Sequence, residues 1–432
     1  MMDMSKYEVP ADKLRWRCDP GVFEFECTKD LAPLHEFIGQ DRAIRAIEFG
    51  LSMNRDGYNI YLAGLTGTGK TSVAKAYIQR LIKEKEAQGE VYRVDDWCYI
   101  HNFTHTDRPQ ILELPRGKGR EFRDGVSNLL EKLKKDLVKA FSSEDYKAQR
   151  KSIAEESQRR QQKLFDEVKR EAHEKGFAIQ MSPMGAVLVA LAKGKPMTQE
   201  DFLALKEPVR KKLEATRAEL LKKLQATLEM AQDADRETAE KVQENDRSIA
   251  SFTISRLFDS LTKKYSGYER IVGYLGDLKA YTVDNVDIFK EEEKGDTVLG
   301  MPASHIKRGE DPFLPFQVNL FVDNSRTEGP PVVIESNPNY ANLFGKTERR
   351  FLLGGYISDH TMLKPGALQL ANGGYLLLNA TDVLTNPGVW PALKRAIKTK
   401  EVCIEEPYEQ FGLIAPQALR PLPMPVEVKI IL

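Results

Sequence analysis

The chain has 432 residues, of which 30% are charged and 41% are hydrophobic, so we expect a globular protein of two or three structural units. Sixty-four basic residues balance sixty-four acidic ones, which argues against a general affinity for nucleic acid or an anionic membrane. The longest apolar run, residues 186–192, is too short to span a bilayer. No apolar stretch follows a basic one at the N-terminus, so we expect no secretory signal, and the four cysteines lack CxxC spacing. These features predict a cytoplasmic protein that is not held by disulfides.

The first quarter of the chain changes from a proline-interrupted lead-in, residues 1–35, to an α/β pattern over residues 36–116. Apolar residues recur at helical spacing up to Leu51, and the apolar run 58–63 predicts a buried strand. A glycine-rich turn follows this run, and the pattern then predicts a helix over residues 72–87. This order of elements is typical of a nucleotide-binding core.

Residues 117–265 have a different composition, in which Lys, Arg, Glu, Gln and Ala dominate. Apolar residues recur every three or four positions in two long stretches, as in amphipathic helices. The short segment 177–191 between them has the pattern of a β-hairpin. We therefore predict an antiparallel coiled-coil insertion with a small hairpin at its tip. A helical bundle packed on the body is the alternative.

The α/β pattern returns in residues 266–432. Strands are predicted over residues 316–322, 331–334 and 374–380, and a helix over residues 390–398. The chain stops inside one more apolar segment, residues 426–432. Because domains rarely end on a bare core strand, we expect this chain to be the front part of a longer protein.

The strongest chemical motif is a G-x4-G-K-[ST] match, in which glycines let the backbone amides face phosphate oxygens. The Lys70 ammonium would lie near the outer phosphates, and the Thr71 hydroxyl would bind Mg²⁺. A glycine-rich turn without a ligand would not explain why these two residues stand at these positions. We predict ATP and Mg²⁺ as cofactors, bound by Gly64, Leu65, Thr66, Gly67, Thr68, Gly69, Lys70 and Thr71.

A second nucleotide motif is expected at the end of a buried strand, where an acid holds the water shell of Mg²⁺. After the apolar run 375–378, Asn379 stands where aspartate is expected and Ala380 where a water-activating glutamate is expected. Asp382 can substitute in part. We therefore name Lys70, Asn379 and Asp382 as catalytic candidates, with Thr71 and Asp382 for the metal. Alternatively, Asn379 only caps the following helix.

Three further runs give the sequence a family resemblance. Together with the phosphate-binding loop, residues 34–50, 337–345 and 364–375 look like the Lon-related ATP-dependent proteases, which contain an AAA+ ATPase portion. The resemblance covers most of the chain from about residue 19. It implies an α/β fold with a parallel AAA+ P-loop sheet, interrupted by the helical insertion. It also implies that Ile38, Gly39 and Gln40 line the adenine pocket.

The resemblance also carries expectations about activity and partners. It implies an ATPase in a homo-oligomeric, hexameric ring that unfolds protein substrates and feeds them to a C-terminal serine protease domain, which lies outside this chain. In such proteins an aromatic residue grips the polypeptide in the pore. Phe351 and Tyr356 are the candidates by position, although aromatics flanked by leucines are more often core residues.

Two other functions are compatible with the sequence. One is a nucleotide-gated assembly or binding module with little hydrolysis, which Asn379 and Ala380 would permit. The other is an AAA+ remodeller of nucleic acid, suggested by local basic pairs such as Lys211-Lys212. Those pairs repeat along a helix and are more simply explained as solvated charge.

Overall fold

The computed structural model describes the chain in several stretches. These are residues 8–32, 39–53, 55, 57–65, 67–90, 92–182, 185–192, 195–197, 206–290, 297–298, 301–302, 311–352, 355–405 and 419–432. The chain forms two compact units, one of Met1–Glu90 with Lys429–Leu432 and the other of Val91–Val428. The unit boundary therefore falls inside the predicted segment 36–116.

Helices and strands follow one another in groups along the described chain. The α-helices are α1 (Asp41–Ser52), α2 (Lys70–Ala87), α3 (Lys118–Ser142), α4 (Glu144–Glu174), α5 (Glu207–Lys264), α6 (Glu269–Asp284), α7 (Tyr340–Phe344), α8 (Ala367–Leu370), α9 (Ala380–Thr385) and α10 (Val389–Thr399). The strands are β1 (Asp95–Ile100), β2 (Gln110–Pro115), β3 (Phe177–Ser182), β4 (Gly185–Ala192), β5 (Lys195–Pro196), β6 (Thr297–Val298), β7 (Met301–Pro302), β8 (Asn319–Val322), β9 (Val332–Glu335), β10 (Lys346–Thr347), β11 (Arg350–Leu352), β12 (Gly355–Ile357), β13 (Leu363–Lys364), β14 (Tyr375–Leu378), β15 (Glu401–Val402), β16 (Met424–Pro425) and β17 (Lys429–Ile431).

The first unit contains α1, α2 and β17. The helix predicted over residues 72–87 is confirmed as α2. The prediction of a buried strand over residues 58–63 is wrong about burial. Ile60 forms a single parallel bridge with Ile431, and only Ile60 and Leu62 are half-buried, whereas Tyr61 is 68% exposed. Alternate side chains therefore face solvent, as in a strand covered on one face only.

The second unit has its main core where helices pack on an antiparallel sheet of order β2-β1-β8. Helix α3 packs one face against it, at three- and four-residue spacing, with the buried residues Phe122, Val126, Leu129 and Leu133. The C-terminal part of α5 and helix α6 complete the same core. Burying each such large apolar side chain contributes about 1.5–3 kcal/mol. Helix α3 therefore belongs to the body of this unit.

Helices α4 and α5 run antiparallel to each other. Ion pairs join Arg160 to Glu237 at 2.6 Å and Lys175 to Glu219 at 2.9 Å, so later residues of α4 meet earlier residues of α5. Strands β3 and β4 pair antiparallel beyond the end of α4. Phe177 of β3 is buried in a small cluster with residues of α4, β4 and α5. Residues 183 and 184, in the predicted hairpin turn, lie outside the described residues.

The last part of the second unit contains a parallel strand pair, β9 and β14. All four residues of β14 are buried, as expected for a strand covered on both faces. The strand predicted over residues 316–322 begins only at Asn319, because residues 314–316 form a 3₁₀ turn around Pro315. The fold is thus a mixed helix and strand architecture, in which β9 and β14 pair in parallel and β1, β2 and β8 form an antiparallel sheet. No helix in the described ranges is both long enough and apolar enough to cross a membrane.

Candidate functional site

The predicted phosphate-binding loop forms the turn between the extended residues 59–62 and helix α2, which begins at Lys70. Gly67 and Gly69 have φ angles of 82° and 75°, in the left-handed region that disfavours side chains. A Cβ atom added to either would meet no atom within 4 Å. The backbone torsion, and not crowding, therefore requires glycine here. Thr66 lies outside the described residues.

The side chain of Lys70 lies back across this loop. Its Nζ atom donates hydrogen bonds to the carbonyl oxygens of Gly64 and Leu65, both at 2.8 Å. The Thr68 hydroxyl donates to the same Leu65 oxygen at 2.8 Å. Both acceptors of the ammonium are neutral carbonyls, and a phosphate oxygen is a stronger acceptor because it is charged. Lys70 therefore has the chemistry to exchange a loop carbonyl for a phosphate.

Helix α2 adds an electrostatic contribution to the same loop. It has 18 residues and starts at the loop, so its unpaired N-terminal amides and its dipole favour an anion at this end. Thr71 is the second residue of the helix and is exposed. Its hydroxyl can therefore be reached from solvent and could serve as a magnesium ligand. The loop geometry and the residue types thus fit a nucleoside triphosphate with Mg²⁺.

A second unusual backbone lies at the start of helix α1. Gly39 and Gln40 have φ angles of 78° and 61°, so two consecutive residues are left-handed. For Gln40 this conformation costs about 1–2 kcal/mol, and such strain is typical of functional sites. This observation is compatible with the predicted adenine contact. Ile38, the third residue of that prediction, lies outside the described residues.

Helices α1 and α2 also enclose a cavity of about 510 Å³ in the first unit. It is lined by Arg45, Glu48, Phe49, Leu51, Ser52, Tyr77, Arg80, Leu81 and Glu84. The α2 residues of this lining begin in its third turn, and none of the residues belongs to the phosphate-binding loop. The cavity is therefore separate from the predicted nucleotide site.

In the second unit, Asn379 and Asp382 lie within one helical turn after the buried strand β14. The Oδ1 atom of Asn379 accepts a hydrogen bond from the Thr381 amide at 3.0 Å and caps helix α9. The capping role considered in the sequence analysis is thus present. Asp382 is half-buried in the first turn of α9. Its carboxylate has the charge that Asn379 lacks.

The aromatic pore candidates lie opposite each other on a two-stranded ladder. Phe351 of β11 pairs with Tyr356 of β12, and their ring centroids are 5.4 Å apart in an edge-to-face arrangement. The side chains are 63% and 69% exposed. Their placement contradicts the core alternative, because both rings face solvent in this chain. An exposed aromatic pair suits contact with apolar polypeptide segments.

The two specific sequence runs of the second unit pack against each other. Gly366 is so close to the preceding run that an added Cβ would lie 2.5 Å from the Leu343 carbonyl oxygen. The buried Gln369 accepts from the Gly366 amide at 2.9 Å and donates to the Phe344 carbonyl at 2.7 Å. Sequence reasoning missed Gln369, although its place directly after Pro-Gly-Ala-Leu was a usable indication. These residues explain why the two runs occur together.

A pair of histidines lies in the interior of the second unit. The rings of His101 and His360 are 5.8 Å apart, and His360 Nε2 lies 2.6 Å from the Gln317 carbonyl oxygen. Burial, and then the neighbouring His360, lowers the pKa of His101 to about 4. Burial also lowers the pKa of His360. Both rings are therefore neutral near pH 7. No cluster of three potential metal-ligating His, Cys, Asp or Glu side chains occurs within the described stretches.

Sequence reasoning also missed Lys429, the first residue of β17. Its Nζ atom donates to the carbonyl oxygens of Gly50 at 2.5 Å and Met53 at 2.6 Å. Burial lowers the pKa of this ammonium. The indication in the sequence was a lysine within the largely apolar segment 426–432.

Comparison with known proteins gives two family matches. Residues 328–432 match the family described as LonB-like, AAA domain. Residues 96–129 match the Lon-like LonC helical domain, and they cover β1, β2 and the start of α3. No curated protein matches the chain. The two family matches confirm the resemblance predicted from the sequence and support a Lon-related family with an AAA+ portion.

Proposed function

We propose that this chain is the ATP-binding AAA+ module of a Lon-like ATP-dependent protease. In this proposal it couples ATP binding and hydrolysis to the unfolding and translocation of protein substrates. The observation that carries the proposal is the loop 64–71, with two left-handed glycines, Lys70 folded across it and helix α2 directly behind it. The match to a LonB-like AAA domain supports the same class of function.

The roles of the loop residues follow from their chemistry. The amides around Gly67 and Gly69 and the first turn of α2 would bind phosphate oxygens. Lys70 would leave the carbonyls of Gly64 and Leu65 for the outer phosphates, and the Thr71 hydroxyl would hold Mg²⁺. When bound, Mg²⁺ neutralises charge on the phosphates. Gly39 and Gln40 are proposed to border the adenine.

Lys70→Ala tests nucleotide binding directly. We expect the affinity for a slowly hydrolysed ATP analogue to fall about a hundredfold, which corresponds to about 2.7 kcal/mol, because a charged contact is lost. Titration calorimetry with Mg²⁺ present measures this. Lys83→Ala, which removes an exposed lysine from the same helix, is the matched control and should bind normally. An unchanged affinity in Lys70→Ala would sink the proposal.

The acid that serves Mg²⁺ is proposed to be Asp382, with Asn379 as a weaker candidate. Because the Asn379 side chain already caps α9, Asp382→Asn should weaken the dependence of ATP binding on Mg²⁺ more than Asn379→Asp strengthens it. ATP affinity is measured with Mg²⁺ and with a chelator. The opposite order of effects would assign the metal-facing position to residue 379.

Substrate handling is proposed to depend on the exposed pair Phe351 and Tyr356, in a hexameric ring of copies of this chain. The antiparallel helices α4 and α5 with the strands β3 and β4 are proposed to form a coiled-coil arm with a hairpin tip. Its ion pairs are exposed and contribute little individually, so the arm depends on buried apolar residues such as Ala172 and Leu220. We further propose a cytoplasmic location, which the four free cysteines support.

A further inference from the structure

The side chain of Lys429 reaches the C-terminal end of helix α1. Its Nζ atom donates to three carbonyl oxygens there, those of Gly50, Leu51 and Met53, at distances of 2.5, 3.3 and 2.6 Å. The last carbonyls of a helix have no partner within the helix, and a cation at this end also interacts favourably with the negative end of the helix dipole. Lys429 therefore holds this end of α1 with one side chain.

The same end of α1 also packs on the segment that leads into the phosphate-binding loop. A Cβ atom at Gly50 would lie 3.0 Å from Cδ1 of Ile60, so helix and segment approach closely. The segment is joined to β17 as well, since the Ile430 amide donates to Asn59 Oδ1 at 3.0 Å and Ile60 bridges Ile431. Helix α1, the segment 59–62 and β17 thus converge within one compact unit.

This convergence connects the two proposed halves of the nucleotide site. Helix α1 starts directly after Gln40, and the phosphate-binding loop starts two residues after Leu62. We propose that Lys429 is a positioning residue that sets the distance between the Gly39–Gln40 turn and the phosphate-binding loop. It acts through α1 and does not touch the nucleotide. The inference rests on the proposed function, in which the turn borders the base and the loop holds the phosphates.

A purely structural cap would behave differently from a positioning residue. Loss of a cap lowers stability but affects every ligand of the folded unit alike. Loss of positioning weakens only a ligand that contacts both α1 and the loop. Inorganic tripolyphosphate has the phosphates of ATP without the base and sugar, so it reports on the loop alone.

The experiment compares two ligands in Lys429→Met, which keeps the apolar stem and removes the ammonium. Calorimetry with Mg²⁺ should show an affinity for the ATP analogue reduced about tenfold, because the turn and the loop no longer keep the distance that the nucleotide needs. Tripolyphosphate affinity should stay within about twofold of the wild-type value. Lys83→Met removes an exposed charge from the same unit and should change neither affinity.

The possible outcomes separate this inference from the proposed function. Equal losses for both ligands, or no loss for either, would overturn the positioning role. A wild-type chain that binds neither ligand would instead overturn nucleotide binding, and this inference with it. If Lys429→Met does not fold, as judged by circular dichroism, the same comparison with Lys429→Gln decides.

Discussion

Glycine serves two opposite purposes in two regions of this molecule. In the phosphate-binding loop, Gly67 has a φ of 82° and nothing within 4 Å of an added Cβ. In the second unit, Gly366 has an ordinary φ of −96°, but an added Cβ would lie 2.5 Å from the Leu343 carbonyl oxygen. The first glycine is required by torsion and the second by contact.

This difference shows how an open site and a packed junction can be told apart in one sequence. A glycine with free space around it leaves room for a ligand to approach the backbone. A glycine pressed against another chain segment leaves no such room, and the neighbouring buried Gln369 seals the contact by hydrogen bonding. The presence of glycine alone does not show which of the two regions is open to a ligand.

The largest expected effect is at the packed junction. Gly366→Ala should lower the free energy of unfolding of the second unit by about 3 kcal/mol, because backbone atoms must move to admit the methyl group. Urea unfolding followed by tryptophan fluorescence measures this, since Trp97 and Trp390 both belong to that unit. Gly276→Ala, in helix α6 where an added Cβ has open space, should instead stabilise it by about 1 kcal/mol. Equal effects of the two changes would break the comparison.

A smaller effect on stability is expected in the open loop. Gly67→Ala should cost about 1–2 kcal/mol, the price of a left-handed alanine, and should weaken binding of the ATP analogue. Hydrogen exchange of the α2 amides reports the stability, and calorimetry reports the binding. Gly64→Ala is the control for backbone torsion. Gly64 does not have a left-handed φ, and an added Cβ would meet Lys70 Cδ at an ordinary 3.6 Å. A fully stable Gly67→Ala with normal binding would show that the loop adopts another conformation.

The stability of the second unit should also depend on pH, through His101. The folded pKa of His101 is about 4, below its usual 6.5, so the unfolded chain binds more protons between these values. The stability from the neutral ring is complete above pH 6.5 and is lost as the pH falls to about 4. Asp359 opposes this shift and His360 adds to it.

Urea unfolding of the second unit at several pH values tests this effect. His101→Gln should flatten the fall in stability between pH 6.5 and pH 4, whereas the exposed His105→Gln should leave it unchanged. An identical pH dependence in wild type and His101→Gln would assign the acid sensitivity to other groups.

Local patterns predicted well the helices with one buried face and the strand that is buried completely. The spacing of apolar residues gave α2, α10 and β14 nearly to their ends. The exposure of Tyr61 was not predictable, because a run of apolar letters does not say how many faces of a strand are covered. The glycine turn before α2 could be predicted because its glycines stand close together in the sequence, whereas its ligand stays a prediction. Lys429 could not, because its partners, Gly50 to Met53, lie more than 370 residues earlier.

Helix α5 has a mechanical consequence of its length. Its 58 residues make it roughly 87 Å long at 1.5 Å per residue. Its C-terminal part is anchored in the main core by Ile254 and Phe258, while Leu220 lies in the small cluster with β3 and β4. From Ile254 to the first residue, Glu207, the helix extends roughly 70 Å, so a tilt of about 5° at Ile254 would move the far end by about 6 Å. A small rotation at the anchored part of the helix would therefore give a larger displacement at its far end, and the size of that displacement depends on where along the helix the core contacts end.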